Sequence, residues 1–207
     1  AKPARDYLVS RGISEQSIRD CQIGFAPHQW QWLTSQGAEA GHSQKSMESV
    51  GLVIRSDKNG KFYDRYRGRV IFPIRDTQSR TVALGGRILP ELSDDRSPKY
   101  INSPETPIYR KSLILYGLSR SRGAIRDRDL ALVVEGYMDV ARLVQHGISN
   151  VVATSGTALT AEQCRLLSRY SRRVVLVFDG DSAGSTAAER GIEGLLGADL
   201  DARVGCL

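Results

Sequence analysis

Leu130-Ala131-Leu132-Val133-Val134-Glu135-Gly136-Tyr137-Met138-Asp139-Val140 opens with five consecutive apolar residues. That is the pattern of a strand buried on both faces. The run stops at Glu135-Gly136, after which Val140, Leu143, Val144, Gly147 and Ile148 continue at helical spacing. The arrangement then repeats. Asn150-Val151-Val152-Ala153 reads as a second strand, and Thr160 with Gln163 forms a capping box that opens a second helix. Arg173-Val174-Val175-Leu176-Val177-Phe178 reads as a third strand, ending in Asp179-Gly180-Asp181. Ala188, Gly191, Ile192 and Leu195 give a third helix, and Ala202-Arg203-Val204 begins a fourth strand. Strand–helix alternation with short links predicts a parallel α/β sheet with right-handed crossovers.

In such a sheet ligands bind beyond the carboxyl ends of the strands. Glu135 stands there after the first strand, and Asp179 and Asp181 stand there after the third. Acids gathered at one sheet edge repel each other unless a cation sits between them. Oxygen-only ligands suit Mg²⁺ or Mn²⁺ rather than zinc. Two such ions about 4 Å apart would stabilise both the attacking and the leaving oxygen of an in-line phosphoryl displacement. There is no G-x-x-x-x-G-K-[ST] and no G-x-G-x-x-G after a strand, so neither common phosphate loop is present. An aspartyl-phosphate phosphatase would carry its Asp-x-Asp on the first strand of the domain, and here that motif follows the third.

Outward toward the N-terminus the charge changes sign. Residues 1–120 carry a net +7 and residues 121–207 a net −1, which together make the chain's +6. Residues 55–87 alone hold nine basic residues against Asp57, Asp64 and Asp76. Arg outnumbers Lys 23 to 6, and the guanidinium fork suits phosphate oxygens. A basic half joined to a half with grouped carboxylates points to a polyanion partner and a metal site. Residues 4–21 read as short helices broken at Gly12, and residues 23–27 as a short strand. Trp30, Trp32 and Leu33 begin a helix, and residues 37–51 suggest a small helix–turn–helix. Residues 65–74 and 81–88 read as paired strands around a turn at 77–80, with Pro73 predicting a sheet edge or a bulge. Residues 94–98 read as a surface loop. Residues 98–107 hold three prolines and read as irregular, yet their Lys, Tyr, Asn and Ser suggest a contact surface.

At 207 residues, 41% hydrophobic and 25% charged, the composition excludes disordered and collagen-like classes. No stretch approaches the roughly 18 apolar residues of a membrane span, and no signal peptide opens the chain. Cys21, Cys164 and Cys206 lie too far apart for a zinc knuckle or a disulfide framework, so zinc is not expected. The expectation is a cytoplasmic chain with no membrane partner.

Glu135-Gly136-Tyr137-Met138-Asp139, followed by Asp179-Gly180-Asp181, resembles the TOPRIM signature of topoisomerases, primases and related nucleases. The front half agrees on a narrower group. Tyr7-Leu8 with Arg11-Gly12, Ile23-Gly24-Phe25-Ala26-Pro27, Arg67-Gly68-Arg69-Val70-Ile71-Phe72-Pro73-Ile74, Gly85-Gly86-Arg87 and Pro98-Lys99-Tyr100-Ile101-Asn102-Ser103-Pro104-Glu105-Thr106 are similar to the core of bacterial DnaG-type primases. The resemblance implies an α+β subdomain over residues 1–120, followed by a TOPRIM-type parallel βαβαβα sheet over residues 121–207. It implies synthesis of short RNA primers on single-stranded DNA from nucleoside triphosphates, with Mg²⁺ or Mn²⁺ in a two-metal site. By that likeness Glu135, Asp179 and Asp181 are catalytic metal ligands and Asp139 is an outer acid. Arg11, Arg87, Lys99, Tyr100, Asn102 and Lys111 match positions lining the template and nucleotide groove. The resemblance further implies a monomer that meets the replicative helicase through a region absent here. The family's zinc-binding domain is missing, and Leu207 precedes a further acidic motif, so the chain reads as a piece of a longer protein. Thr154-Ser155-Gly156-Thr157 stands where the family tends to have Ser-Leu-Gly-Thr. A non-catalytic TOPRIM nucleic-acid-binding module and a TOPRIM nuclease are the alternative readings. Glu135 together with Asp179 and Asp181 argues against the pure binder, which gains nothing from acids facing phosphates.

Overall fold

Glycines, prolines and capping serines cut the front half of the chain into short elements. The computed structural model describes residues 2–94, 97–156, 158–178 and 182–206. Helices α1 (Lys2–Ser10) and α2 (Glu15–Asp20) are separated by Gly12 at φ 78°, and the Ser14 hydroxyl accepts the Ser17 N–H at 3.1 Å to start the second. Strand β1 (Gly24–Ala26) and helices α3 (Trp32–Glu39) and α4 (Gln44–Ser49) follow. Strands β2 (Val53–Arg55) and β3 (Phe62–Asp64) pair antiparallel as a separate ribbon. Strands β4 (Arg69–Arg75), β5 (Thr81–Ile88) and β6 (Tyr100–Asn102) complete a four-stranded sheet in the order β1-β4-β5-β6.

The back half follows the predicted alternation. Helix α5 (Leu118–Arg128) leads into β7 (Ala131–Val134), α6 (Tyr137–Gln145), β8 (Val151–Ala153) and α7 (Ala161–Leu167). Strand β9 (Arg173–Phe178), helix α8 (Ser182–Leu196) and strand β10 (Asp201–Cys206) follow. The sheet runs β10-β9-β7-β8, and every pair in it is parallel. Strands β7, β8 and β9 have no exposed face, apart from Arg173 at the start of β9, which is why they read as continuous apolar runs, whereas edge strand β10 is largely exposed. Val133, Val152, Val174 and Leu176 are all 0% exposed. Each such side chain stabilises the sheet by about 1.5–3 kcal/mol. The chain divides into two compact units. One comprises Ala1–Ile74 and Thr81–Arg110; the other comprises Arg75–Arg80 and Lys111–Leu207.

Three local readings change. Pro73 lies on β4, which is interior by strand order rather than at an edge. Its neighbour β1 pairs only with residues 69–71, through Gly24↔Ile71, Phe25↔Val70 and Ala26↔Arg69, so that partner strand stops short of the proline. Residues 98–107 are not wholly irregular: Tyr100–Asn102 forms β6, because the prolines flank that strand and do not interrupt it. Helix α5 and the β2–β3 ribbon went unread. Leu118, Ser121 and Ile125 are buried at helical spacing on α5, and Asn59-Gly60 supplies the turn signal between β2 and β3. Of the predicted loop 94–98, Asp95 and Arg96 lie outside the described residues.

Candidate functional site

The parallel sheet places Glu135 where its strand runs out. Strand β7 ends at Val134, and the half-buried Glu135 and Gly136 link it to α6. Val133 pairs with Leu176 on β9, so two residues further along Glu135 is level with Phe178, the last residue of β9. The Thr154 N–H donates to the Val134 carbonyl at 3.3 Å and the Ser155 N–H to the Glu135 carbonyl at 3.1 Å. The segment after β8 is thereby fastened to the backbone that presents Glu135. Asp139 is exposed on the first turn of α6, and its carboxylate accepts the Gly136 N–H at 3.0 Å. It caps the helix, and a carboxylate there also suits the positive end of the helix dipole. Tyr137 anchors the same turn, buried edge-to-face on Tyr116 with ring centroids 4.7 Å apart. Asp179 and Asp181 lie outside the described residues, as do Gly180 and Thr157. Among the described residues no group of three or more His, Cys, Asp or Glu is close enough to hold a metal. Glu135 and Asp139 offer oxygen alone, a donor chemistry that fits a hard divalent cation.

Three of the six candidate groove residues come together on β5 and β6, with Lys99 just before β6. Arg87 pairs with Tyr100 and Gly85 with Asn102, so strand alternation puts Arg87, Tyr100 and Asn102 on one face, where Gly85 adds no side chain. Lys99 is exposed beside them, its carbonyl accepting the Ile88 N–H at 3.1 Å. The Arg87 guanidinium carbon lies 5.3 Å from the Tyr100 ring centre and 5.2 Å from that of Tyr7 on α1. Its Nη1 donates to the Ile88 carbonyl at 2.9 Å. Arg11 is exposed just past α1, its N–H donating to the Tyr7 carbonyl at 3.1 Å. Lys111 belongs to the other unit, half-buried in a 3₁₀ turn, Lys111–Leu113.

The opposite face of β5 carries supports that the sequence reading did not single out. A Cβ on Gly86 would meet Tyr66 Cδ1 at 2.7 Å and Arg69 Cδ at 3.2 Å, so only glycine admits both side chains. Arg69 is 6% exposed, and its Nη1 donates to the carbonyls of Gly86 at 3.2 Å and Pro98 at 3.0 Å. It thus ties the start of the 98–102 segment to β5. Burial holds its pKa below the usual guanidinium value, and the positive charges of Arg67 and Arg87 act in the same direction. The Tyr66 hydroxyl donates to the Leu84 carbonyl at 2.8 Å and lies 2.9 Å from Ser103 Oγ, and burial raises its pKa.

An aromatic platform lies elsewhere in the same unit. Trp30 precedes α3 instead of starting it, is 64% exposed, and has the Arg67 guanidinium carbon 4.1 Å from its ring centre. Tyr63 meets the Trp30 ring edge-on at 5.6 Å. Arg67 also donates to the Asp64 carbonyl, and desolvation lowers its pKa. The Asp64 carboxylate, 2% exposed, accepts the Leu33 N–H at 2.6 Å, the Thr34 N–H at 2.9 Å and the Thr34 hydroxyl at 2.7 Å. A buried acid therefore fixes the start of α3 next to the exposed tryptophan. Local periodicity carries no sign of this, because its partners stand 30 and 31 residues apart.

Comparison with known proteins adds the family. Residues 1–122 match the family described as DNA primase catalytic core, N-terminal domain, and residues 129–205 match the Toprim domain. The chain is 44% identical over 202 residues to a DNA primase of Deinococcus radiodurans, covering 97% of this chain and 35% of that protein. It is 47% identical over 202 residues to one of Pseudomonas putida, covering 98% of this chain and 30% of that protein. The chain therefore spans about a third of the length of these relatives. Its fold is similar to the crystal structure of a DNA primase domain from Pseudomonas aeruginosa, with TM-score 0.87 and 43% identity over 98% of this chain and 63% of that one. It is also similar to a DnaG primase catalytic domain bound to ssDNA, with TM-score 0.85 and 39% identity over 99% of this chain and 63% of that one.

Proposed function

The chain belongs to the DNA primase catalytic core family, and from that premise we propose that it is the nucleotidyl-transfer core of an enzyme making RNA primers on single-stranded DNA. Residues 1–120 supply the template and nucleotide groove, and residues 121–207 the metal-binding part. The observation that carries the reading is the position of Glu135, at a strand end level with the last residue of β9, with Asp179 and Asp181 next in sequence. The Toprim domain implies use of a divalent metal. Glu135, Asp179 and Asp181 would hold Mg²⁺ or Mn²⁺, with Asp139 outside them keeping α6 capped. The ions would stabilise charge on the attacking and leaving oxygens. In the reaction a primer 3′-hydroxyl gives up its proton to water as its oxygen attacks the α-phosphate of a nucleoside triphosphate; a P–O bond forms, and the bond to the departing pyrophosphate breaks.

The chain's own side chains hold the polyanions. Arg11, Arg87 and Lys99 contact phosphate without reading sequence, and Asn102 hydrogen-bonds beside them. Tyr100, 39% exposed, offers a stacking face for a base. Trp30, with Arg67 held over its ring, suits a passing single strand for the same reason. Lys111 contacts the nucleotide's triphosphate. The enzyme works as a monomer in the bacterial cytoplasm and meets the replicative helicase through another part of the full-length protein.

Primer synthesis on single-stranded DNA with Mg²⁺ or Mn²⁺ tests this, with the chain substituted for the matching segment of the full-length Pseudomonas putida relative. The hybrid should make primers, and Glu135→Gln should abolish synthesis while leaving single-stranded DNA binding intact. Full synthesis by the Gln variant would refute the assignment.

A further inference from the structure

The capping box at the start of α7 reaches beyond its own helix. Thr160 and Gln163 satisfy each other in the usual reciprocal way: the Gln163 N–H donates to Thr160 Oγ1 at 3.1 Å, and the Thr160 N–H to Gln163 Oε1 at 3.0 Å. Nothing in that motif requires the remaining hydrogens to leave the helix. Here they do. Gln163 is 0% exposed, and its Nε2 donates to the Lys111 carbonyl at 3.2 Å and the Ile114 carbonyl at 2.8 Å. The Thr160 hydroxyl donates to the Ser112 carbonyl at 2.8 Å. Three carbonyls in and just after one short turn thus accept hydrogen bonds from two residues about fifty positions away. That turn is Lys111–Leu113, a single 3₁₀ turn with little stability of its own.

We propose that Thr160 and Gln163 are positioning residues for Lys111, strapping its turn to the scaffold that presents Glu135. The inference rests on the proposed role of Lys111 as a contact to the nucleotide triphosphate. The segment leaving β8 is hydrogen-bonded to Val134 and Glu135 through Thr154 and Ser155, and it leads to the α7 cap. The cap holds the carbonyls of Lys111 itself and of the residues that follow it. A lysine on a loose turn loses backbone as well as side-chain freedom when it meets a phosphate, and prior strapping removes the first loss. Lys111 and Glu135 belong to the same compact unit.

The test uses the 207-residue chain and its affinity for a Mn²⁺–nucleoside triphosphate, with hydrogen exchange at the Ile114 amide as a direct report on the turn. Lys111→Ala should weaken binding about tenfold, the order carried by one charge-assisted hydrogen bond. Thr160→Val and Gln163→Met should each weaken it by a similar factor and speed exchange at Ile114, whereas Thr160→Ser, which keeps the hydroxyl, should change neither. In the Lys111→Ala background Gln163→Met should add nothing to the loss of affinity, because both act through one side chain. A merely structural role would leave affinity unchanged below the melting temperature, or add to the Lys111→Ala effect, and either result overturns the proposal. Should Gln163→Met fail to fold, Thr160→Val with its Ser control decides. Unchanged affinity for Lys111→Ala itself would overturn the nucleotide role of Lys111 and this inference with it.

Discussion

Arg69 and Arg67 stand two positions apart and do opposite things. Arg69 is buried and directs its donors to backbone carbonyls, tying β5 to the segment before β6. Arg67 lies half-buried over an exposed indole. In the sequence both are simply members of a basic run. Trp30 gives the residue-scale prediction. Base stacking on an aromatic face contributes about 1–3 kcal/mol per base. Trp30→Ala should weaken single-stranded DNA binding by that amount in a fluorescence titration. Its melting temperature should hardly move, because Trp30 is mostly exposed and Asp64 holds the start of α3. Unchanged affinity would remove the platform from the binding surface.

Elements here are closed by specific polar groups, and one of them should make stability depend on pH. Helix α5 ends at Asp129, in the left-handed region at φ 45°, and the Asp129 carboxylate accepts the Arg172 N–H at 2.8 Å at the entrance to β9. That hydrogen bond, joined by the charges of Arg173 and Arg172, holds its pKa below the ordinary carboxylate value against the opposing effect of burial. A depressed folded-state pKa gives stability that is present above the unfolded value of about 3.9 and is lost as pH falls through the folded one. Asp129→Asn tolerates the same backbone region, so its urea midpoint should fall less steeply than that of wild type as the pH drops below about 4. Equal slopes would mean that the cap carries no charge-dependent stability. Helix α5 went unread, because its four arginines mask the narrow buried stripe of Leu118, Ser121 and Ile125. Strand β6 was harder, because three residues between prolines gain their order only from β5 beside them.

At the scale of the whole molecule, the proposed functions divide between two compact units. Arg87, Lys99, Tyr100 and Asn102 lie in one, while Glu135, Asp139 and Lys111 lie in the other. The effects of substitutions should divide likewise. Arg87→Ala or Lys99→Ala should flatten the log–log dependence of single-stranded DNA affinity on salt by about 0.7 for each phosphate that the variant no longer neutralises. Mn²⁺ affinity should be unaffected. Asp179→Asn should weaken Mn²⁺ binding in a calorimetric titration and leave the salt slope alone. A salt-insensitive DNA complex would rule out phosphate binding by the basic face, and unchanged Mn²⁺ affinity would remove Asp179 from the metal site.

The parallel sheet and the strand-end position of Glu135 are legible along the chain alone. A strand buried on both faces must be apolar at every position, and residues 131–134, 151–153 and 174–178 meet that demand without reference to anything distant. The capping box of Thr160 and Gln163 was legible for the same reason, since its partners are three residues apart. Three features emerge on folding alone: this box also grips the turn of Lys111, Arg69 supports the face bearing Arg87 and Tyr100, and Arg67 comes to rest on Trp30. Each of these joins residues seventeen to fifty-two positions apart. Periodicity along a chain reports which side of an element is buried. Which element covers it is chosen by packing between segments, and that choice leaves no mark on either segment alone.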